Sequence, residues 1–206
     1  MIRILRAGAV IVCGLSLAGC ISLLPKTKPA QLYRFGATPA AEQPAGQAPA
    51  GKIGVFRANG TFQRETAGDR LLGVTGTKAA YIAQSRWVAP AQLLFDEAVL
   101  EASDTGGGHV RLVSRGEPAH SDYVLRLDVR NFEARYDNGA KAAPTVLVRV
   151  RAAITRDESR TLVSDQVFEA RVRASDNRVG PIVAAYDKAV AEVLAKLVAW
   201  TNANAA

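Results

Sequence analysis

The sequence predicts an α+β domain: an antiparallel or mixed β-sheet with two main helices, about Pro90–Ala102 and Asn177–Asn202, packed on one face. Three observations carry this. Between Tyr123 and Val172, three long runs alternate apolar and polar residues and are joined by short polar turns, the mark of an antiparallel meander. The end of the chain places Val179, Ile182, Val183, Tyr186, Ala189, Val190, Val193, Leu194 and Leu197 at helical spacing. The chain has 206 residues, 49% of them hydrophobic and 22% charged, enough for one domain with its own core.

The N-terminus reads as an address rather than as part of that core. Arg3 and Arg6 precede an apolar stretch, Ala7–Ala18, which is too short to span the roughly 20 residues of a membrane helix. Ala18-Gly19-Cys20 then supplies small residues where a peptidase must fit the backbone, the layout of a secretory signal. Leu17-Ala18-Gly19-Cys20 resembles the lipobox of bacterial lipoproteins. That resemblance implies cleavage between Gly19 and Cys20, with a diacylglyceryl group on the Cys20 sulfur and an acyl chain on its new amine. Several acyl chains, at about 0.8 kcal/mol per buried CH₂, hold a domain on a bilayer far more firmly than one. Residue 21 is Ile and not Asp, which by resemblance to enterobacterial sorting favours the outer membrane. The divisions are thus residues 1–19 as signal peptide, 20–30 as lipidated tether and 31–206 as one domain.

Along the mature chain, Ser22–Lys28 is a polar, proline-containing tether, and Gln31–Phe35 alternates as a first strand. Residues 37–51 are rich in Ala, Pro, Gly and Gln without apolar period, and read as a loop. Short strands follow at Lys52–Phe56, Leu71–Val74, Ala79–Ala83 and Arg86–Val88. Pro90 opens the first helix at its favoured first-turn position, with Leu93, Leu94, Ala98 and Leu100 as the apolar stripe, and Ser103–Gly108 ends it. His109–Val113 is another strand. In the first long run the apolar phase slips near Arg130-Asn131, between Val129 and Phe132, which predicts a β-bulge. Val146–Ile154 and Val163–Val172 complete the meander around a turn at Asp157–Arg160, with Phe168 and Ala170 inward. Ser175, Asp176 or Asn177 can cap the last helix, with Pro181 in its first turn.

Catalytic patterns are absent from this order of residues. Cys13 and Cys20 are the only cysteines, so the mature chain beyond Cys20 holds no disulfide and no thiolate metal site. His109 and His120 are isolated and read as surface or strand histidines. His120-Ser121-Asp122 sets triad letters side by side, but neighbours in a strand point to opposite faces. Gly68-x-x-x-x-Gly73 has phosphate-loop spacing and is followed by Val74 instead of Lys-Ser/Thr. Glu65, Asp69, Asp96, Glu97 and Asp104 read as solvated acids. A net charge of +7, with 6% aromatic residues and no basic run interleaved with aromatics, speaks against nucleic-acid binding. The expectation is no catalytic residue, cofactor or metal. One patterned feature remains, a row of arginines on the polar phase of the long strands: Arg126, Arg130, Arg149, Arg151, Arg171 and Arg173. It reads either as a solvated face with cross-strand pairs or as a face for a partner protein or anionic headgroups. Trp87 and Trp200 read as core or interface anchors.

Four segments carry a resemblance over nearly all of residues 17–202: "YRF" at Tyr33–Phe35, "YIAQSRWVAPAQLLFDEAVLEA" at Tyr81–Ala102, "YVLRLDVRNFEARY" at Tyr123–Tyr136 and "IVAAYDKAVAEVLAKLVAW" at Ile182–Trp200. The chain resembles the ABC-type transport auxiliary lipoprotein family, the PqiC-like lipoproteins of MCE-type lipid transport systems. The resemblance implies a non-enzymatic protein, lipid-anchored in the periplasmic leaflet of the outer membrane. It would dock an MCE-domain periplasmic protein whose permease and ATPase sit in the inner membrane, with a phospholipid or related lipid as cargo. The alternative is an outer-membrane lipoprotein with a structural or regulatory envelope role, as a partner of cell-wall synthesis or secretion. Cys20→Ala removes the only acceptor for the anchor. The expected outcome is loss of lipid-label incorporation and release of the protein from membrane fractions, and unchanged fractionation would count against the lipobox reading.

Overall fold

The computed structural model describes residues 29–36 and 52–206. The leader, Gly19, Cys20, the tether to Lys28 and the loop at 37–51 lie outside the described residues. The elements run β1 (Gln31–Tyr33), β2 (Ile53–Ala58), β3 (Leu72–Thr75), β4 (Lys78–Tyr81), β5 (Ser85–Trp87), α1 (Ala91–Thr105), β6 (Val110–Val113), β7 (Tyr123–Arg135), β8 (Thr145–Arg156), β9 (Leu162–Arg173) and α2 (Val179–Asn204). Both helices lie against one face of the sheet and touch each other, giving the expected α+β fold.

The three long strands form the predicted meander, β7 antiparallel to β8 and β8 to β9. Alternation sets their faces. Val146, Val148, Val150, Ala152 and Ile154 of β8 are completely buried, beside Leu125, Leu127 and Phe132 of β7 and Phe168 and Ala170 of β9. Ile182, Tyr186, Ala189, Val190, Val193 and Leu197 of α2 cover them. At roughly 1.5–3 kcal/mol for each large apolar side chain removed from water, this layer supplies most of the driving force. The bulge falls where the apolar phase slips. Val129 pairs with Val150 and Asn131 with Arg149, leaving Arg130 without an opposite residue. That extra residue returns Phe132 to the core side.

The sheet is mixed, because the short strands add to β7 in parallel. β2 pairs with β7 at Val55↔Tyr123 to Ala58↔Arg126, Phe62 bridges to Val129, and β3 pairs at Gly73↔Ala134 and Val74↔Arg135. Successive pieces of one chain segment therefore run along a single edge of β7. β6 lies parallel on the far side of β2, β4 closes an antiparallel hairpin with β3, and β1 pairs in parallel with β5 as a separate two-stranded sheet. The connection from β6 to β7 must cross β2, since both are parallel neighbours of it. It crosses at Gly54: a Cβ there would sit 2.1 Å from the His120 carbonyl oxygen, and Asp122 N–H donates to the Gly54 carbonyl at 2.9 Å.

Several boundaries differ from expectation for local reasons. α1 begins after Pro90, which is its N-cap in extended conformation, and continues past Ala102 to Thr105 before Gly106. Its buried stripe is Ala91, Leu94, Phe95, Ala98 and Val99, while Leu93 is 53% exposed. Phe95 sets the helix phase and turns Leu93 outward. α2 begins two residues later than expected and ends at Asn204, and its N-cap is Arg178 without a side-chain cap. Asp176 is otherwise engaged, accepting from the Asn177 N–H at 2.6 Å and from Arg178 Nε at 2.5 Å.

Gly54→Ala places a methyl group into a backbone carbonyl, an overpacking that costs about 1–3 kcal/mol. Nothing lies within 4 Å of a Cβ at Gly68. Thermal denaturation should therefore show a clear loss of stability for Gly54→Ala and little for Gly68→Ala; equal effects would refute the crossing.

Candidate functional site

The arginine row lies on the face of the sheet opposite the helices, as alternation requires. Cross-strand geometry pairs most of it. Glu169 of β9 stands opposite Arg149 of β8 and accepts from its Nε at 2.5 Å, and also from Arg171 Nε at 2.6 Å. Arg151 Nη2 reaches Asp165 at 2.7 Å, and Arg126 Nε reaches Asp128 at 3.2 Å. Among the described residues no carboxylate lies within ion-pair distance of Arg130 or Arg173. The face is thus an ion-pair lattice with two unpaired cations, one at the bulge and one at the end of β9. It is not wholly polar: Leu147 is buried between Glu133 and Arg171, and Val163 and Val167 are exposed on β9.

Hydrogen bonds tune this lattice. The Arg171 hydrogen bond, against a smaller desolvation cost and with help from Arg149, holds the Glu169 carboxyl below the ordinary glutamate range. Asp128 is likewise held low. Burial opposes this, but the Thr61 N–H and hydroxyl and the Arg126 guanidinium outweigh it.

On the helical side, a cavity of about 150 Å³ opens between α1, the end of β2 and the start of β7. Phe62, Phe95 and Leu127 line its apolar side, and Arg57, Thr61 and Asp96 its polar side. Arg57 Nη2 donates to Asp96 at 2.7 Å and welds β2 to α1. Only 12% of the Arg57 side chain is exposed, and its Nε is buried without a partner. Burial pulls the Arg57 pKa down and pushes that of Asp96 up, with their mutual attraction opposing both. The sequence reading missed Arg57 because it ended the strand at Phe56. Continued alternation places Arg57 on the same side as Val55, and an arginine on an apolar phase was the available signal.

The other candidates do not converge. Asp69 pairs with Arg86 at 2.6 Å, Asp96 with Arg57 and Glu97 with Arg34 at 3.1 Å, each on its own partner. His120 Nε2 lies 3.2 Å from Asp122, while the Ser121 hydroxyl donates to Asp157, so the three triad letters form no relay. His109 Nε2 lies 3.1 Å from the Ala205 carbonyl. Trp87 is buried, and Trp200 packs edge-on to Phe168 at 5.6 Å. Among the described residues no group of three or more His, Cys, Asp or Glu could hold a metal ion, and no helix is long and apolar enough to cross a membrane.

A family model, the ABC-type transport auxiliary lipoprotein component, matches residues 72–198, from the start of β3 to the last turns of α2. The chain belongs to that family. Solved structures share the fold of this chain. A Xanthomonas campestris protein is 22% identical with a TM-score of 0.70, over 85% of this chain and 96% of its own. A hypothetical protein of Chlamydia trachomatis is 11% identical with a TM-score of 0.50, over 74% and 99%. The search of curated proteins gave no match.

Glu169→Gln should lower the melting temperature at neutral pH. Because the folded-state pKa lies below the unfolded one, this contribution is present above about pH 4.3 and is lost as pH falls through the lower, folded value. Denaturation curves of wild type and variant should therefore converge in acid, and a difference that stays constant down to pH 3 would refute the assignment.

Proposed function

We propose that the protein is a non-catalytic, lipid-anchored auxiliary component of an MCE-type ABC transport system. It stands at the periplasmic face of the outer membrane and docks the MCE protein there. The permease and ATPase in the inner membrane supply the energy, and phospholipid is the cargo. Membership of the auxiliary lipoprotein family carries this reading. Among the described residues, the cavity beside Arg57, about 150 Å³, falls below the roughly 300–1,000 Å³ of ordinary ligand pockets and is too small to enclose acyl chains, which favours docking over carriage. The arginine face supports the docking half of the reading. Arg130 and Arg173 stand outside the ion-pair lattice and offer donors to a partner carboxylate at no cost to existing pairs.

Affinity capture from detergent-solubilised membranes tests it. Recovery of an MCE-domain protein is the expected outcome. Arg130→Glu with Arg173→Glu should reduce that recovery several-fold while leaving the melting temperature within a few degrees, because neither side chain is paired. Recovery of only cell-wall enzymes would overturn docking in favour of a structural envelope role.

A further inference from the structure

Three large apolar side chains are exposed where the N-terminal chain joins the fold: Leu32 at 64%, Val88 at 52% and Leu93 at 53%. They share one surface. In the parallel β1–β5 pair, Leu32 stands opposite Arg86, and Val88 lies two residues on, so both point the same way. Their neighbours Tyr33, Phe35, Ser85 and Trp87 take the opposite, inward phase. Arg34, two residues after Leu32, reaches Glu97 on α1 at 3.1 Å, and Glu97 lies one helical turn from Leu93 on the same stripe. The surface is therefore an apolar patch on the helical side of the domain, rimmed by the ion pairs Arg34–Glu97 and Arg86–Asp69. A soluble surface normally scatters such residues singly; three together mark a contact.

The tether decides what they contact. Cys20 lies nine residues before Pro29, a reach of about 30 Å at full extension. A domain of this size is about 40 Å across. A chain held at Cys20 can lay the side from which its tether emerges on the bilayer, whereas laying the opposite side down would require the tether to wrap the domain. The tether itself carries two cations, Lys26 and Lys28.

We propose that Leu32, Val88 and Leu93 rest in the interface of a phospholipid membrane, with the Arg34–Glu97 and Arg86–Asp69 pairs at the headgroup level. The inference rests on the anchoring reading above, and it leaves the arginine face of the sheet turned away from the bilayer.

The lipidated chain itself provides the test. With Cys13 removed in the leader and the Cys20 sulfur acylated, a cysteine introduced by Leu93→Cys is the only free thiol. The same holds for Val167→Cys, which places the thiol on the exposed arginine face. Each variant is labelled with a polarity-sensitive fluorophore and reconstituted into phosphatidylethanolamine–phosphatidylglycerol vesicles. The expected result is a blue shift and quenching by spin-labelled lipid for the probe at residue 93 and neither for the probe at 167. No shift at residue 93, or a shift at 167 instead, would overturn the placement of the patch. A second label on each chain, at a free Cys20 thiol, would overturn the anchor and with it the tether argument.

Discussion

The layers of this domain meet in one aromatic cluster. Trp87 stands edge-on to Phe35 at 4.9 Å and to Tyr186 at 5.3 Å, and Phe132 stacks obliquely on Phe35 at 5.1 Å and on Tyr186 at 4.9 Å. These four rings come from β5, the segment after β1, α2 and β7, and Phe62 extends the contact to Phe95 of α1. Each such pair adds about 0.5–1.5 kcal/mol beyond the area it buries, but the topological effect is larger. Without the cluster, β1 and β5 would be a two-stranded ribbon of three residues each, too short to persist alone. The bulge in β7 matters for the same reason. It is what turns Phe132 to the helical side, so one unpaired residue, Arg130, conditions the contact on which the small sheet depends.

The sequence disclosed those features whose signal is local. Alternation in β7, β8 and β9, the phase slip at Arg130-Asn131 and the helical period of α2 all lie within windows of about twenty residues, and the structure has each of them. The parallel pairings did not show. β2 and β3 reach β7 across 68 and 61 residues at Val55↔Tyr123 and Gly73↔Ala134, and strands of four to six residues carry too little pattern to specify a partner. α1 was legible as a helix but not in phase, because Leu93 and Leu94 are adjacent and only the tertiary position of Phe95 selects between them. The arginine row was legible as a row. Its pairing depended on register, which puts Glu169 opposite Arg149 and Asp165 diagonal to Arg151, and register is a property of two strands at once.

The two faces of the sheet divide the polar work differently. On the outer face, ion pairs are exposed or half-exposed, so each contributes little to stability, and their effect is to offset four of the six guanidinium charges of the row. On the helical side, Arg57 and Asp96 form a more buried pair whose value is positional, fixing the end of β2 against α1. Burying charge without full compensation is costly, and the unpartnered Nε of Arg57 is the residue of that compromise.

Gly36 gives the N-terminal segment its mechanical character. Its φ of +73° turns the chain after Phe35, its N–H donates to Asp187 of α2 at 2.8 Å, and a Cβ there would meet that of Ala98 at 2.8 Å. A pull on the N-terminus runs along β1, whose backbone ladder with β5 lies parallel to the pull. Its hydrogen bonds are then loaded in shear and share the tension, instead of opening one by one as in a peeled hairpin. Behind them Phe35 would have to leave the aromatic cluster before the load reached the meander. The six residues Gln31–Gly36 thus act as a strain relief, and a domain tugged from its N-terminus would have to give way there before the long strands felt the load.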